Sequence, residues 1–190
     1  MQRLGRRTSA TRLRIAALAG AALAAGANAG AAAAGQSAPE ARPPAGPEAS
    51  LAYFLGAWDI VATTPATGAS ERFSYEVRPL LGGAWISGRG RSEDLSAESS
   101  DVWGRDGASG ELVRIIFDGS GTYAIVRSPG WQGERLVLEG DARSAGGVVR
   151  VRETIIRLGA DSFSATWEAY RNGAWSAYSV ERVTRRRAAS

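Results

Sequence analysis

The chain has 190 residues, with 23 basic and 19 acidic side chains, and it contains no His, Cys or Lys. The lack of His and Cys excludes Ser-His-Asp and Cys-His nucleophiles, His- or Cys-based zinc sites and His-ligated haem. The lack of Lys excludes Schiff-base chemistry and the phosphate-binding lysine of P-loop proteins. We expect neither a cofactor nor a bound metal.

Residues 1–29 have the pattern of a signal peptide. Five arginines precede an apolar run at 15–25, and a small-x-small cleavage pattern follows at Ala27-Asn28-Ala29, with further candidate sites up to Ala34. An uncleaved membrane anchor is the alternative, but it needs about 20 strongly apolar residues, and this run is mostly Ala and Gly. Cleavage predicts a periplasmic or secreted protein, and one that is not a lipoprotein because it has no Cys to acylate.

Removing residues 1–29 changes the charge argument. The remainder has 18 arginines against 19 acids, a net charge of −1 instead of +4. A nucleic-acid partner therefore has no electrostatic basis. We expect the cleaved protein to be a monomer that does not insert stably into a membrane. Residues 30–47 read as an Ala/Pro-rich linker, and residues 48–187 as one domain, large enough for a single core.

Residues 47–55 predict a short helix, or a turn of helix, that ends at Gly56. Beyond it the hydrophobic period changes to two: residues 69–78 and 162–171 alternate strictly between two faces. Turn signals separate such segments, including Asn172-Gly173, a type I′ hairpin dipeptide. The pattern predicts about ten strands, at 57–63, 70–78, 84–91, 100–105, 111–118, 121–127, 134–140, 147–157, 162–171 and 174–184.

Short connections between these segments predict an all-β, antiparallel up-and-down meander. Without a long helix to cover one face, the sheet must bury its apolar side by closing into a barrel or by stacking as a sandwich. We favour closure.

The segment Leu55-Gly56-Ala57-Trp58-Asp59 resembles the glycine-x-tryptophan motif that opens lipocalins and related calycin barrels. Residues 80–85, 101–123 and 130–133 are similar in spacing to a bacterial family of exported lipocalin-like proteins, over nearly the whole domain. The resemblance implies a barrel closed at its base by Gly56 and Trp58, with an arginine packed over the indole. By position this arginine is Arg182, with Arg185 as the second choice.

Aromatic residues are the candidates for a binding site. The inward ones either fill a barrel of this size or line a cavity of about 300 to 1,000 Å³. The candidate lining residues are Phe73, Tyr75, Trp85, Phe117, Tyr123, Trp167 and Tyr178. The inward face of 84–91 stays open: Trp85 shares a face with Arg89 and Arg91, and the outward orientation of that face is favoured because Ile86 suits the interior.

The resemblance implies a non-catalytic binder or carrier of a small apolar or amphipathic molecule. One alternative is a cofactor-free barrel enzyme of isomerase or cyclase type, with Glu153, Glu168 and Tyr170 as candidates. Another is an envelope interaction protein with a packed core and exposed aromatics such as Trp131.

Two charged features have simpler interpretations. We expect a solvated loop rather than a calcium site from Glu93, Asp94, Glu98 and Asp101, and a solubilising strand end rather than a lipid contact from the arginines at 185–187.

Overall fold

The computed structural model describes residues 51–187, and within them the chain forms ten β-strands. They are β1 (Gly56–Thr63), β2 (Ser70–Leu80), β3 (Trp85–Ser92), β4 (Glu98–Arg105), β5 (Leu112–Asp118), β6 (Tyr123–Ser128), β7 (Arg135–Ser144), β8 (Gly147–Gly159), β9 (Ser162–Arg171) and β10 (Ala174–Arg185). A 3-10 turn, Leu81–Gly83, precedes β3. Each predicted strand corresponds to one observed strand, with ends that differ by at most four residues. In this part of the chain no helix is long and apolar enough to cross a membrane.

The ten strands close into a barrel in which each strand pairs with its neighbours in sequence. The closing contact joins the first and last strands, so that Ile60 on β1 pairs with Phe73 on β2 and with Val183 on β10. All of the pairings are antiparallel. The predicted up-and-down barrel is therefore confirmed over the sandwich, and it is compatible with a lipocalin-like fold. Closure leaves no unpaired sheet edge.

Strand alternation decides which side chains fill the barrel. On β2, Phe73, Tyr75 and Val77 are buried, whereas Arg72 and Glu76 are exposed. The same holds on β9, where four inward residues are buried in a row (Phe163, Ala165, Trp167 and Ala169). Burial of a large apolar side chain contributes about 1.5 to 3 kcal/mol, so the inward set holds the sheet closed.

The turn between β9 and β10 has the predicted geometry. Asn172 and Gly173 have φ values of 52° and 83°, and a type I′ turn needs positive φ at both positions. The local sequence therefore fixes the register of this hairpin.

Several predictions about the N-terminal region fall outside residues 51–187. These are the signal peptide at 1–29, the linker at 30–47 and the start of the helix predicted at 47–55. The described part of that helix forms a turn, in which the Phe54 N–H donates to the Leu51 carbonyl at 3.0 Å and the Leu55 N–H to the Ala52 carbonyl at 3.2 Å. The helix itself stays a prediction. Leu51 and Phe54 are buried, so this turn packs against one end of the barrel.

Candidate functional site

One end of the barrel interior is closed by an aromatic cluster, which we call the floor (Phe54, Trp58 and Phe163). Trp58 follows Gly56 at the start of β1 and is fully buried, and its indole Nε1 donates a 2.7 Å hydrogen bond to the backbone oxygen of Phe54. Its ring centre lies 5.2 Å from that of Phe163, which meets Phe54 edge-on at 5.7 Å. Edge-to-face contacts of this kind add to the stability gained from burial. The floor therefore excludes water from this end.

The arginine that covers Trp58 is Arg185, and the first assignment, Arg182, is wrong. The guanidinium carbon of Arg185 lies 4.1 Å from the indole ring centre. Its N–H groups donate to the backbone oxygens of Leu55 and Tyr53 at 2.6 and 3.1 Å. Alternation explains the correction, because odd-numbered residues of β10 such as 181 and 183 face inward, whereas Arg182 is exposed. Arg185 has the inward parity and lies opposite Trp58 in the pairing of β1 with β10.

Beyond the floor the barrel contains a cavity that is not fully enclosed. It offers about 40 Å³ to water, which is room for a few molecules and far less than the roughly 300 to 1,000 Å³ of a typical small-molecule site. Its wall combines apolar side chains with five ionisable groups: Tyr75, Asp101, Arg114, Glu153 and Glu181. The barrel is thus mostly filled, and the space that remains is polar.

Four of these groups form a connected hydrogen-bond network, in which every side chain is less than one-tenth exposed. The Tyr75 hydroxyl donates to the Asp101 carboxylate, with oxygen distances of 2.8 and 2.9 Å. Arg114 Nε donates to Asp101 Oδ2 at 2.9 Å, and Arg114 Nη1 donates to Glu153 Oε2 at 2.5 Å. A single guanidinium from β5 therefore links carboxylates on β4 and β8 across the interior.

Arg114 is held as a cation by its neighbours. Burial alone would lower its pKa, but the carboxylates of Glu153 and Asp101 outweigh burial and raise the pKa well above the ordinary value. The guanidinium carbon also lies 4.1 Å from the ring centre of Trp103 and 5.7 Å from that of Trp167. Desolvated cation–π contacts of this kind contribute up to about 2 kcal/mol. The positive charge of Arg114 is thus stabilised both by carboxylates and by aromatic rings.

The pKa values of Glu153 and Tyr75 are shifted towards the neutral forms of these two side chains. Burial raises the pKa of Glu153, and the charge of Arg114 offsets part of that effect. Burial, followed by the neighbouring Asp101 carboxylate, raises the pKa of Tyr75 well above its ordinary value. Tyr75 consequently remains a hydrogen-bond donor throughout the physiological pH range.

Glu181 is the fifth ionisable group and has the weakest partner. Its side chain lies on β10, and the residue is 9% exposed. Within residues 51–187 its one hydrogen bond comes from the Ser179 hydroxyl at 3.5 Å, which is beyond the usual range for O–H···O bonds. Burial raises the pKa of Glu181 to about 7; Glu153 adds to the rise, and Arg114 opposes it. Three carboxyl groups thus share the cavity with one guanidinium.

Gly88 on β3 makes room for the network. A Cβ atom at this position would lie 2.2 Å from both the Tyr75 hydroxyl and an Asp101 carboxylate oxygen. Both distances are far shorter than van der Waals contact, so the pair can meet in this place only because position 88 has no side chain.

The predicted lining residues divide between the two faces of the sheet. Phe73, Tyr75 and Trp167 are buried and line the cavity. Tyr178 lies at an irregularity in β10 where the pairing with β9 shifts register, and its partly buried ring lies 6.5 Å from that of Trp167. The remaining three are on the outside, and their assignment as lining residues is corrected: Trp85, Phe117 and Tyr123.

Alternation again gives the reason for these corrections. Phe117 and Tyr123 pair with each other across β5 and β6, and they are 46% and 41% exposed. Their neighbours Ile116 and Ala124 take the inward positions. On β3, Ile86 is buried, so Trp85 points outward together with the exposed Arg89 and Arg91. The favoured phase of 84–91 is thereby confirmed.

The predicted acidic cluster is not one site. Glu93 and Asp94 are exposed in the β3–β4 loop, and Glu98 forms an ion pair with Arg89 on the outer face. Asp101, in contrast, points inward into the network. Between residues 51 and 187 no group of three or more His, Cys, Asp or Glu side chains is placed to hold a metal ion.

The residues predicted for the enzyme and for the interaction protein lie in different environments. Glu153 lies in the cavity, but Glu168 bonds to Arg152 at 2.8 Å and Tyr170 is 43% exposed. Glu168 and Tyr170 therefore have no access to the cavity chemistry. Trp131 is partly buried and stacks on Phe54 at 5.8 Å between ring centres, so it extends the floor instead of standing free for a partner.

Sequence reasoning missed Arg114 and Glu181, and left Asp101 in a surface cluster. The alternation of inward and outward residues along the strands did indicate that Arg114 and Glu181 face the interior. Arg114 lies between the inward residues Leu112 and Ile116, and Glu181 precedes the inward Val183 by two positions. A charged residue at an inward position of a closed barrel indicates a polar interior.

The sequence was also compared with known proteins. It matches no protein-family model, and no curated protein is similar enough to count as a relative.

Proposed function

We propose that this chain is an exported lipocalin-like protein that binds a small amphipathic molecule inside its barrel, without a catalytic step. The observation that carries the proposal is the cavity, which is sealed at the floor and lined by aromatic rings and a few convergent polar groups. Such walls are typical of small-molecule sites.

The wall favours an amphipathic ligand over a purely apolar one. Phe73, Phe163 and Trp167 offer apolar surface, but Glu181 lies beside them with one long hydrogen bond. An apolar group against an ionised Glu181 would leave a buried charge without a partner, at a cost of several kcal/mol. Because the cavity has room for only a few waters, we expect a small polar head to enter it and the apolar part to extend towards the opening.

Export and kinship belong to the same proposal. The leader pattern at 1–29 and the lack of Cys support a soluble periplasmic or secreted monomer that is not a lipoprotein. The glycine-x-tryptophan motif at Gly56 and Trp58 supports kinship with exported lipocalin-like proteins of bacteria.

A cofactor-free enzyme is the second candidate, and Glu181 favours it. A buried carboxyl group with a pKa of about 7 suits a general base at neutral pH. Tyr75 and Arg114 line the same cavity and could stabilise a developing negative charge. Turnover of any bound compound would replace the binding proposal with this one.

Native mass spectrometry of the protein purified from its own host tests for a bound molecule. We expect one small amphipathic compound to remain with the folded protein. If nothing copurifies and titration with n-hexanol leaves the tryptophan fluorescence unchanged, the binding proposal is overturned.

A pair of serines provides the matched variants. Ser99 is buried and lines the cavity, whereas the adjacent Ser100 has the outward parity on β4. Ser99→Val fills part of the cavity and should weaken n-hexanol binding, while Ser100→Val should leave it unchanged. Equal binding by both variants would place the ligand outside the barrel.

A further inference from the structure

Glu181 is the carboxyl group in the cavity that has the weakest hydrogen bonding among the described residues. Asp101 receives hydrogen bonds from Tyr75 and Arg114, and Glu153 receives one from Arg114. From residues 51–187 Glu181 receives only the long bond from Ser179, although it is about as buried as the others. A carboxylate at such a depth is normally paired with a cation.

Arg114 is the one cation that the described residues contribute to the cavity wall, and it is already engaged. Arg114 donates from Nε and Nη2 to Asp101 and from Nη1 to Glu153, and its guanidinium faces the Trp103 ring. No other Arg side chain is among the cavity-lining residues, and the chain contains no Lys. Among residues 51–187 no second cation is available to an ionised Glu181, so a bound molecule is the candidate source of its counter-charge.

We propose that Glu181 binds a positively charged nitrogen, an ammonium or amidinium head group, of the amphipathic ligand. This inference rests on the proposed binding function and deepens it by naming the ligand class. The cavity's room for a few waters suits a head group of this size.

The aromatic wall favours a cation for a second reason. Trp167 lines the same cavity on the neighbouring strand, opposite Ser179, and the Tyr178 ring lies beside that of Trp167. Faces of indole and phenol rings attract cations, most strongly where water is excluded. An anionic head group would instead meet three carboxyl groups for one guanidinium.

The pH dependence of binding should follow Glu181, whose pKa of about 7 is far below that of an alkyl ammonium, roughly 10. Affinity for an amine should therefore rise between pH 6 and pH 8. The other ionisable groups around this space are Glu153 on β8, Arg114 on β5, Asp101 on β4, Tyr75 on β2 and Tyr178 on β10. Burial raises the pKa of both tyrosines, so neither changes its charge in this window.

The experiment compares three probes that share one tail: n-hexylamine, n-hexanol and hexanoate. Binding to the full folded protein is followed at pH 8 by calorimetry and tryptophan fluorescence. A charge-assisted hydrogen bond is worth about tenfold or more in affinity, so the amine should bind about tenfold more tightly than the alcohol. Glu181→Gln keeps the shape and removes the charge, and it should abolish this preference. Glu93→Gln, the same change on the exposed β3–β4 loop, should retain it.

The outcomes separate the two proposals. If n-hexanol binds as well as n-hexylamine, or if Glu181→Gln keeps the preference for the amine, the cation inference is overturned while the binding function stands. Tighter binding of hexanoate would also overturn the inference, and would make Arg114 the docking group. If none of the three probes binds, the proposed function itself fails and the inference fails with it.

Discussion

The floor and the cavity both place a guanidinium over an indole, but they satisfy its N–H groups with different partners. At the floor, Arg185 covers Trp58 and donates to backbone carbonyls as well as to Asp161. In the cavity, Arg114 covers Trp103 and donates only to carboxylates among the described residues. The Arg185 side chain is 28% exposed, and that of Arg114 is 9% exposed.

The difference shows that an arginine packed over a tryptophan has a different role at the floor and in the cavity. Backbone carbonyls carry no net charge, and water still reaches Arg185, so the floor is a stable closure that needs nothing further. The cavity holds charges in a medium where each needs a partner, and within residues 51–187 Glu181 has only the long bond from Ser179. Closure of the barrel thus depends on the floor, whereas the group with a pKa of about 7 lies in the cavity.

The largest expected effect comes from removing the cation of the cavity. Arg114→Met leaves Asp101 and Glu153 buried without their partner, and loss of one member of a buried ion pair costs about 3 to 5 kcal/mol. Urea denaturation at pH 7 measures the loss. The matched control is Arg89→Met, which breaks an exposed pair with Glu98 and should cost less than about 1 kcal/mol. Equal losses would mean that the Arg114 ion pairs are as well solvated as the exposed pair of Arg89 with Glu98.

A smaller effect follows from the titration of Glu181, whose pKa rises from 4.5 in the unfolded chain to about 7 in the fold. Between these values the folded protein keeps a proton that the unfolded chain has lost, so this group lowers the free energy of unfolding as pH rises. The full change is about 3 kcal/mol. Glu181→Gln removes the titration, so its stability relative to wild type should increase from pH 4.5 to 7 and then level off. If the free energies of unfolding of wild type and Glu181→Gln changed in parallel with pH, Glu181 would be solvated in the fold. The control variant Glu93→Gln should give a curve parallel to that of wild type.

The fold could be predicted from the sequence because alternation and turn residues are local signals. The strict period of two at 69–78 and the dipeptide Asn172-Gly173 each specify their segment without reference to the rest of the chain. Closure followed from the absence of any long helix to cover the sheet. Each observed strand accordingly lies where one was expected.

The cavity could not be predicted to the same degree, because its chemistry depends on contacts between distant strands. Arg114 and Glu153 are 39 residues apart and meet only after closure. Choosing aromatic residues by type placed Phe117 and Tyr123 inside, although their inward neighbours Ile116 and Ala124 had already taken that face. Parity along each strand, applied to charged residues as strictly as to apolar ones, would have identified Arg114 and Glu181.

The smallest expected effect comes from replacing Arg185 at the floor, whose inward position follows from strand alternation. Arg185→Met keeps an apolar stem over Trp58 but removes the cation–π contact and the donors to Leu55 and Tyr53. We expect a loss of about 1 to 3 kcal/mol. Arg182→Met makes the same chemical change three residues earlier on β10, at an outward and exposed position, and should stay within about 0.5 kcal/mol of wild type. Urea denaturation of the two variants side by side measures the difference. If Arg182→Met proved the more damaging, the inward parity assigned to Arg185 would be wrong, because only an inward guanidinium can reach the indole that closes the barrel.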